Sequence, residues 1–176
     1  MPKKIPLGNV ATLKINGIFD FETVYRAMHG WFVEQKYYFE EKLYKHKVPS
    51  PAGAEEHIRW EGWRKITDYV KFNIQIYIIM WDMKEIEVIK NGEKKKLTKA
   101  RMKIEFNGDV ETDYQDAFGK TPFLVKLREF YNEFVMKKRI DTIYTDQLYY
   151  MILKLYTVAK EQLEFETRAN MYYDMW

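Results

Sequence analysis

The stretch YVKFNIQIYIIMW, residues 69–81, decides how this chain folds. On an extended strand successive side chains point to opposite faces. Val70, Phe72, Ile74, Ile76, Ile78 and Met80 then share one face, which is apolar along its whole length. Lys71, Asn73 and Gln75 take the other face, and Tyr77, Ile79 and Trp81 continue it. The first face is expected to be buried throughout. The second changes from wet to covered halfway along, so something is expected to pack on its second half.

Strand patterns extend on both sides of this stretch. Residues 56–66 hold Trp60 and Trp63, with Gly62 between them marking a bulge or a close backbone contact. In residues 37–48, Tyr38, Glu40, Lys42, Tyr44 and His46 face one way, and Phe39, Leu43 and Lys47 the other. Residues 49–53, PSPAG, read as a loop. A first strand is expected over residues 11–19, with Leu13 and Ile15 on one face. Downstream, residues 85–90 and 96–106 flank Asn91-Gly92, the strongest short hairpin signal. Ile86, Val88, Met102, Ile104 and Phe106 line one face of that hairpin, and Asn107-Gly108-Asp109 reads as a second turn.

Helical spacing appears twice. Asp20 is placed to cap a helix whose apolar stripe is Val24, Met28, Trp31 and Phe32. Thr121-Pro122 opens a longer helical region, with Thr as cap and Pro at the first turn. Its stripe is Phe123, Leu127, Phe130, Tyr131 and Phe134, and Lys137-Lys138-Arg139 suits a helix C-terminus. A second helix is expected from about Asp141 to Phe165, with Leu148, Ile152, Leu155 and Ala159 on one side. Strands first and helices last predict an α+β fold: an antiparallel β-sheet packed against an N-terminal helix and a long C-terminal helical region. Residues 1–166 are expected to form one domain, followed by an aromatic tail over 167–176.

Chemistry is hard to find. Cysteine is absent, which excludes disulfides and Cys-ligated metals. His29, His46 and His57 stand in no metal-binding frame. Glu40-Glu41 and Glu55-Glu56 are neighbours on strands and point to opposite faces, so neither pair can share a proton. Ser50 is the single serine, and the glycines are scattered singly. No enzyme activity, cofactor or metal is expected. No run is apolar enough to span a bilayer, and the N-terminus has no secretory core, so the expected location is the cytoplasm or a particle assembled inside the cell.

Three groups of residues invite a binding role. The first is the tail, Met171, Tyr172, Tyr173, Met175 and Trp176, a candidate to dock on a partner. The second is the basic hairpin. Residues 84–103 hold eight Lys or Arg (Lys84, Lys90, Lys94, Lys95, Lys96, Lys99, Arg101 and Lys103) against three Glu (Glu85, Glu87 and Glu93). Lys94, Lys95, Lys96, Lys99 and Arg101 can meet phosphates or an acidic surface. They can equally keep an exposed hairpin soluble, and the hairpin lacks the interleaved aromatics that base stacking needs. The third is an aromatic set, Trp31, Trp60, Trp63, Tyr77 and Trp81, able to line an apolar pocket or to pack in the core.

The strand block from Val70 to Trp81, the Asn91-Gly92 hairpin and the helix opening at Thr121-Pro122 follow an element order that resembles START-like, helix-grip proteins. That resemblance implies a curved antiparallel sheet wrapped on a C-terminal helix, with an apolar cavity between them. Three expectations follow for function. The leading one is a non-enzymatic interaction or assembly subunit, self-associating or bound to a protein partner, such as a structural component of a viral particle or other large complex. The others are a START-like carrier of an apolar small molecule and a nucleic-acid binder using hairpin 84–103.

Overall fold

A computed structural model describes residues 2–50, 53–90, 93–118 and 121–167. The alternating stretches pair into one five-stranded antiparallel sheet. Its strands are β1 (Lys3–Phe19), β2 (Tyr38–Ser50), β3 (Gly53–Lys65), β4 (Val70–Lys90) and β5 (Glu93–Thr112). In space the order is β1-β5-β4-β3-β2, so the first strand returns to pair with the last. Helix α1 (Phe21–Glu34) follows β1, and a helical region from Pro122 to Thr167 closes the chain. The fold is α+β. An antiparallel sheet packed with C-terminal helices is compatible with the helix grip.

The core lies on the face that the alternation marked. Val70, Phe72, Ile74, Ile76, Ile78 and Met80 are buried, together with Met102, Ile104 and Phe106 of β5. Asp20 caps α1 by accepting from the Thr23 amide at 3.1 Å. Val24, Met28, Trp31 and Phe32 turn inward. The Phe32 ring lies directly over Gly62, where a β-carbon would collide with it, which explains the glycine between two tryptophans.

The final stretch of the helical region is α4 (Thr145–Thr167). It lays Leu148, Ile152, Leu155, Ala159 and Leu163 on the sheet, all nearly inaccessible to solvent. Here one expectation fails. Asn107-Gly108-Asp109 is no turn, because β5 runs straight through it, with Gly108 opposite Ile74. A β-carbon on Gly108 would come within 2.5 Å of Ile152 Cδ1, so the glycine is a seat for the helix. Asp109 is held on the opposite face by amide donors, Asn73 Nδ2 at 2.6 Å and Gln75 Nε2 at 2.6 Å.

Bulges redirect other side chains. An extra residue in β2 between Glu41 and Leu43 puts Phe39 and Glu41 on the same face as Tyr44 and His46, against simple alternation. Another in β4 between Trp81 and Lys84 sends Ile86 and Val88 to the face away from Met102, Ile104 and Phe106. The PSPAG loop is shorter than expected: β2 reaches Ser50, which pairs with Gly53, and Pro51 and Ala52 lie outside the described residues. So do Asn91 and Gly92, although Lys90 and Glu93 on either side of them are paired.

The C-terminal region does not break near Lys138. It runs as α2 (Pro122–Phe130), a π-helical stretch Tyr131–Met136, a short α3 (Lys137–Arg139), a second π-helical stretch Ile140–Tyr144, and then α4. No Gly or Pro follows Pro122 within it, so the backbone widens its turns without leaving the helix. Among the described residues no helix is long and apolar enough to cross a membrane.

Candidate functional site

The unusual surface is on α2 and the π-helical stretch after it. Thr121 caps the helix by accepting from the Leu124 amide, and Pro122 occupies the first turn. Phe123, Leu127, Phe130 and Phe134 then recur at steps of four, three and four. A stripe with that spacing normally faces the core. Here it faces outward: Phe123 is 73% exposed, Phe130 55% and Phe134 70%. The rings of Phe130 and Phe134 stack on each other with centroids 4.9 Å apart, and Val135 beside them is exposed. Of the expected stripe, Tyr131 alone is half-buried, edge-on to Tyr69 at 5.5 Å.

The inward side explains the inversion. Arg128, Asn132 and Met136, four residues apart, are the buried positions. Arg128 reaches Asp113 at 3.5 Å, and Asp113 also accepts from the Ala117 amide at 2.8 Å. The Tyr69 hydroxyl donates to Asn132 Oδ1 at 2.7 Å. Burial, followed by the negative charge of Asp113, pushes the Tyr69 hydroxyl above the usual tyrosine range. Asp113 holds a left-handed backbone, φ 54°, a conformation that aspartate tolerates better than most residues. These polar partners fix which side of the helix turns in, and the aromatic stripe has no choice but to turn out. Burying one such side chain is worth roughly 1.5–3 kcal/mol, so leaving several in water forgoes a large gain. Contiguous exposed apolar patches of this kind mark interaction sites. Along the inner flank an open groove of about 640 Å³ separates Glu129, Asn132 and Lys137 from Lys3–Pro6 at the start of β1.

The sequence-derived candidates are dispersed. Trp31 and Trp60 are buried on the α1 side of the sheet, whereas Trp63, Tyr77 and Trp81 lie on the opposite face, so the five do not line one pocket. Lys94 and Lys96 are exposed on one face of the hairpin. Lys99 and Arg101 alternate onto the other, and the Lys95 side chain lies outside the described residues. Met171, Tyr172, Tyr173, Met175 and Trp176 also lie outside them.

One titratable cluster escaped sequence reasoning. Glu56, 7% exposed, accepts from the Tyr44 hydroxyl at 2.9 Å and meets His46 Nδ1 at 2.8 Å. Glu41 accepts from the Tyr25 hydroxyl at 2.9 Å and from Trp60 Nε1 at 3.1 Å. Burial, then the bond to Glu41, pushes the Tyr25 hydroxyl up to about 12. The β2 bulge creates this cluster, and strict alternation hides it. Each carboxylate is satisfied by neighbouring donors, an arrangement that ties β2 to β3 and α1 and offers no free base. Among the described residues no group of three or more His, Asp or Glu is placed to hold a metal ion. No protein-family model, curated protein or solved structure matches the chain.

Proposed function

We propose that this protein works by binding, as an assembly subunit, and that the outward stripe of α2 docks on a second copy of the chain. The observation that carries this reading is the inverted helix, with Arg128 and Asn132 inside and Phe123, Leu127, Phe130 and Phe134 outside. Steps of four, three and four are the a/d seam by which one helix packs against another. A seam meeting its own copy makes a two-fold interface that needs no further partner. Lys126, Glu129 and Glu133, all exposed on the same stretch, provide both signs of charge to flank such a seam.

Sedimentation velocity over a concentration series tests the reading. The native protein is expected to form a dimer or larger species, and Phe130→Asp with Phe134→Asp to leave a folded monomer. A native protein that stays monomeric at every concentration would remove the proposal, as would a double variant that associates as before. Flotation of the monomer with anionic vesicles would reassign the stripe to a lipid surface and overturn the dimer. The carrier reading that accompanies the helix-grip resemblance has less support. Ile152 fills the space over Gly108 and Phe32 the space over Gly62, so helix side chains meet the sheet directly at both points.

A further inference from the structure

The face of the sheet turned away from α1 and α4 carries its own pattern, visible only once the strands are in register. Trp81 of β4 stands opposite Arg101 of β5, and Arg101 opposite Asn16 of β1. One row along, Ile79 faces Lys103, and Lys103 faces Lys14. In the next row Tyr77 lies under the Arg59 guanidinium, 5.2 Å from the ring centroid. On the hairpin side, the extra residue between Trp81 and Lys84 keeps Lys84 on this same face, opposite Lys99. Cations that the sequence scatters over four strands thus interleave with rings on one surface, which is what the hairpin alone lacked.

We propose that this half of the open sheet face binds single-stranded nucleic acid, with Trp81 and Tyr77 stacking on bases and Arg101, Lys103, Lys99 and Lys14 meeting phosphates. Exposed bases stack on aromatic rings while a basic surface tracks the backbone, a mode that tolerates any sequence. Solubilising lysines are the competing explanation, but they belong on sheet edges, where unpaired strands must be blunted. Lys99, Arg101 and Lys103 stand on β5 where it is paired on both sides and needs no such protection, whereas Lys14 stands on the edge strand β1. On this half of the face the carboxylates Asp82, Glu61 and Glu105 pair with Arg101, Arg59 and Lys103, and the exposed Lys14, Lys84 and Lys99 add positive charge beyond those pairs. Asp82 accepts two bonds from Arg101, at 2.7 and 2.6 Å, and steadies a side chain that remains 59% exposed. Glu105 pairs with Lys103 at 2.5 Å, leaving Lys14 and Lys99 exposed beside it. Trp81 and Tyr77 are half-buried, and the Arg59 guanidinium already takes one face of the Tyr77 ring, so Trp81 is the principal stacking platform.

The test is fluorescence anisotropy with labelled oligo-dT, oligo-rU and a duplex of equal length, on the native protein and three variants. The native protein is expected to prefer the single strands and to weaken steeply between about 50 and 200 mM salt. Arg101→Glu with Lys103→Glu is expected to lower affinity at least tenfold and flatten the salt dependence. Trp81→Ala is expected to lower affinity about tenfold, within the range for one stacked base, and to leave the salt slope unchanged. Trp81→Phe keeps a ring and is expected to retain most of the binding, which separates stacking from misfolding. Absence of binding at low salt would overturn the proposal. So would equal affinity for the duplex, or binding indifferent to Trp81→Ala. Phe130→Asp with Phe134→Asp is expected to leave this binding intact, because the two surfaces lie on different elements.

Discussion

Helix α4 and the run from α2 through Met136 carry apolar residues at the same helical spacing, yet they face opposite ways. In α4, Leu148, Ile152, Leu155, Ala159 and Leu163 point into the sheet, none more than 2% exposed. In the earlier run Phe123, Phe130 and Phe134 point to solvent, and Arg128 and Asn132 point in. The difference lies in what receives each helix. Gly108 leaves a hollow in the sheet for Ile152. Asp113 and Tyr69 instead offer a carboxylate and a hydroxyl, and these select a guanidinium and an amide. Apolar periodicity fixes that a helix has two sides; the receiving surface fixes which side is inside.

The largest test of this contrast substitutes one apolar residue on each helix. Ile152→Ala removes a side chain from a filled seat and should cost about 4 kcal/mol, within the range for large-to-small core changes. Phe134→Ala removes a bigger side chain from water and should stay within about 0.5 kcal/mol. Denaturant unfolding at low protein concentration measures both and keeps any association from adding to apparent stability. Similar costs at the two sites would break the comparison, since Phe134 would then be buried within the monomer.

A somewhat smaller effect probes the polar seat. Asp113→Asn keeps a residue that accepts the left-handed backbone and an oxygen for the Ala117 amide, but leaves the Arg128 guanidinium facing a neutral group. Removing one member of a buried pair costs about 3 kcal/mol at the lower end of the usual range. Hydrogen exchange should quicken over residues 122–136 while α4 stays protected. Equal quickening in both would mean that the run and α4 open as one unit, and the separate seats would lose their meaning.

Much of the sheet was legible because strand alternation is a local signal. Val70 to Met80 declared its buried face, Asp20 and Thr121 declared two helix starts, and the order of elements declared the α+β class. What stayed hidden depends on neighbours distant in sequence. Gly108 looks like a turn residue until Ile152 is placed on it. Tyr44 and His46 share a face with Glu41 only because a bulge adds one residue to β2 after Glu41. Arg128 resembles any solvated arginine until Asp113 is beside it. The open-face pattern of Trp81, Arg101 and Lys103 needs the register of β4 against β5. The aromatic excess was visible as composition, but its division between a core, a stripe on α2 and an open sheet face is a tertiary fact.

The smallest expected effect separates the two seats by pH. The Tyr69 hydroxyl donates to Asn132, and its proton is held more tightly in the fold than in the unfolded chain, because burial and the charge of Asp113 both oppose ionisation. A group whose folded pKa is raised contributes stability in full below its unfolded value, about 10 for tyrosine, and loses it as pH rises through the folded value. Tyr69→Phe deletes that bond and should cost about 1 kcal/mol near neutral pH. Above about pH 10 the tyrosine of the unfolded chain ionises first, so the gap between native and Tyr69→Phe should narrow and be gone once pH passes the raised folded value. Tyr25 and Tyr37, each pushed up to about 12, destabilise both proteins alike in that range and cancel from the difference. The atoms nearest Gly108 belong to Ile152, Leu148 and the Asn73 carbonyl, none of which titrates, so the gap between native and Ile152→Ala should remain constant over the same range. A Tyr69→Phe gap that also stayed constant would show that the hydroxyl bond does not hold the inverted helix, leaving Arg128 and Asp113 to hold it.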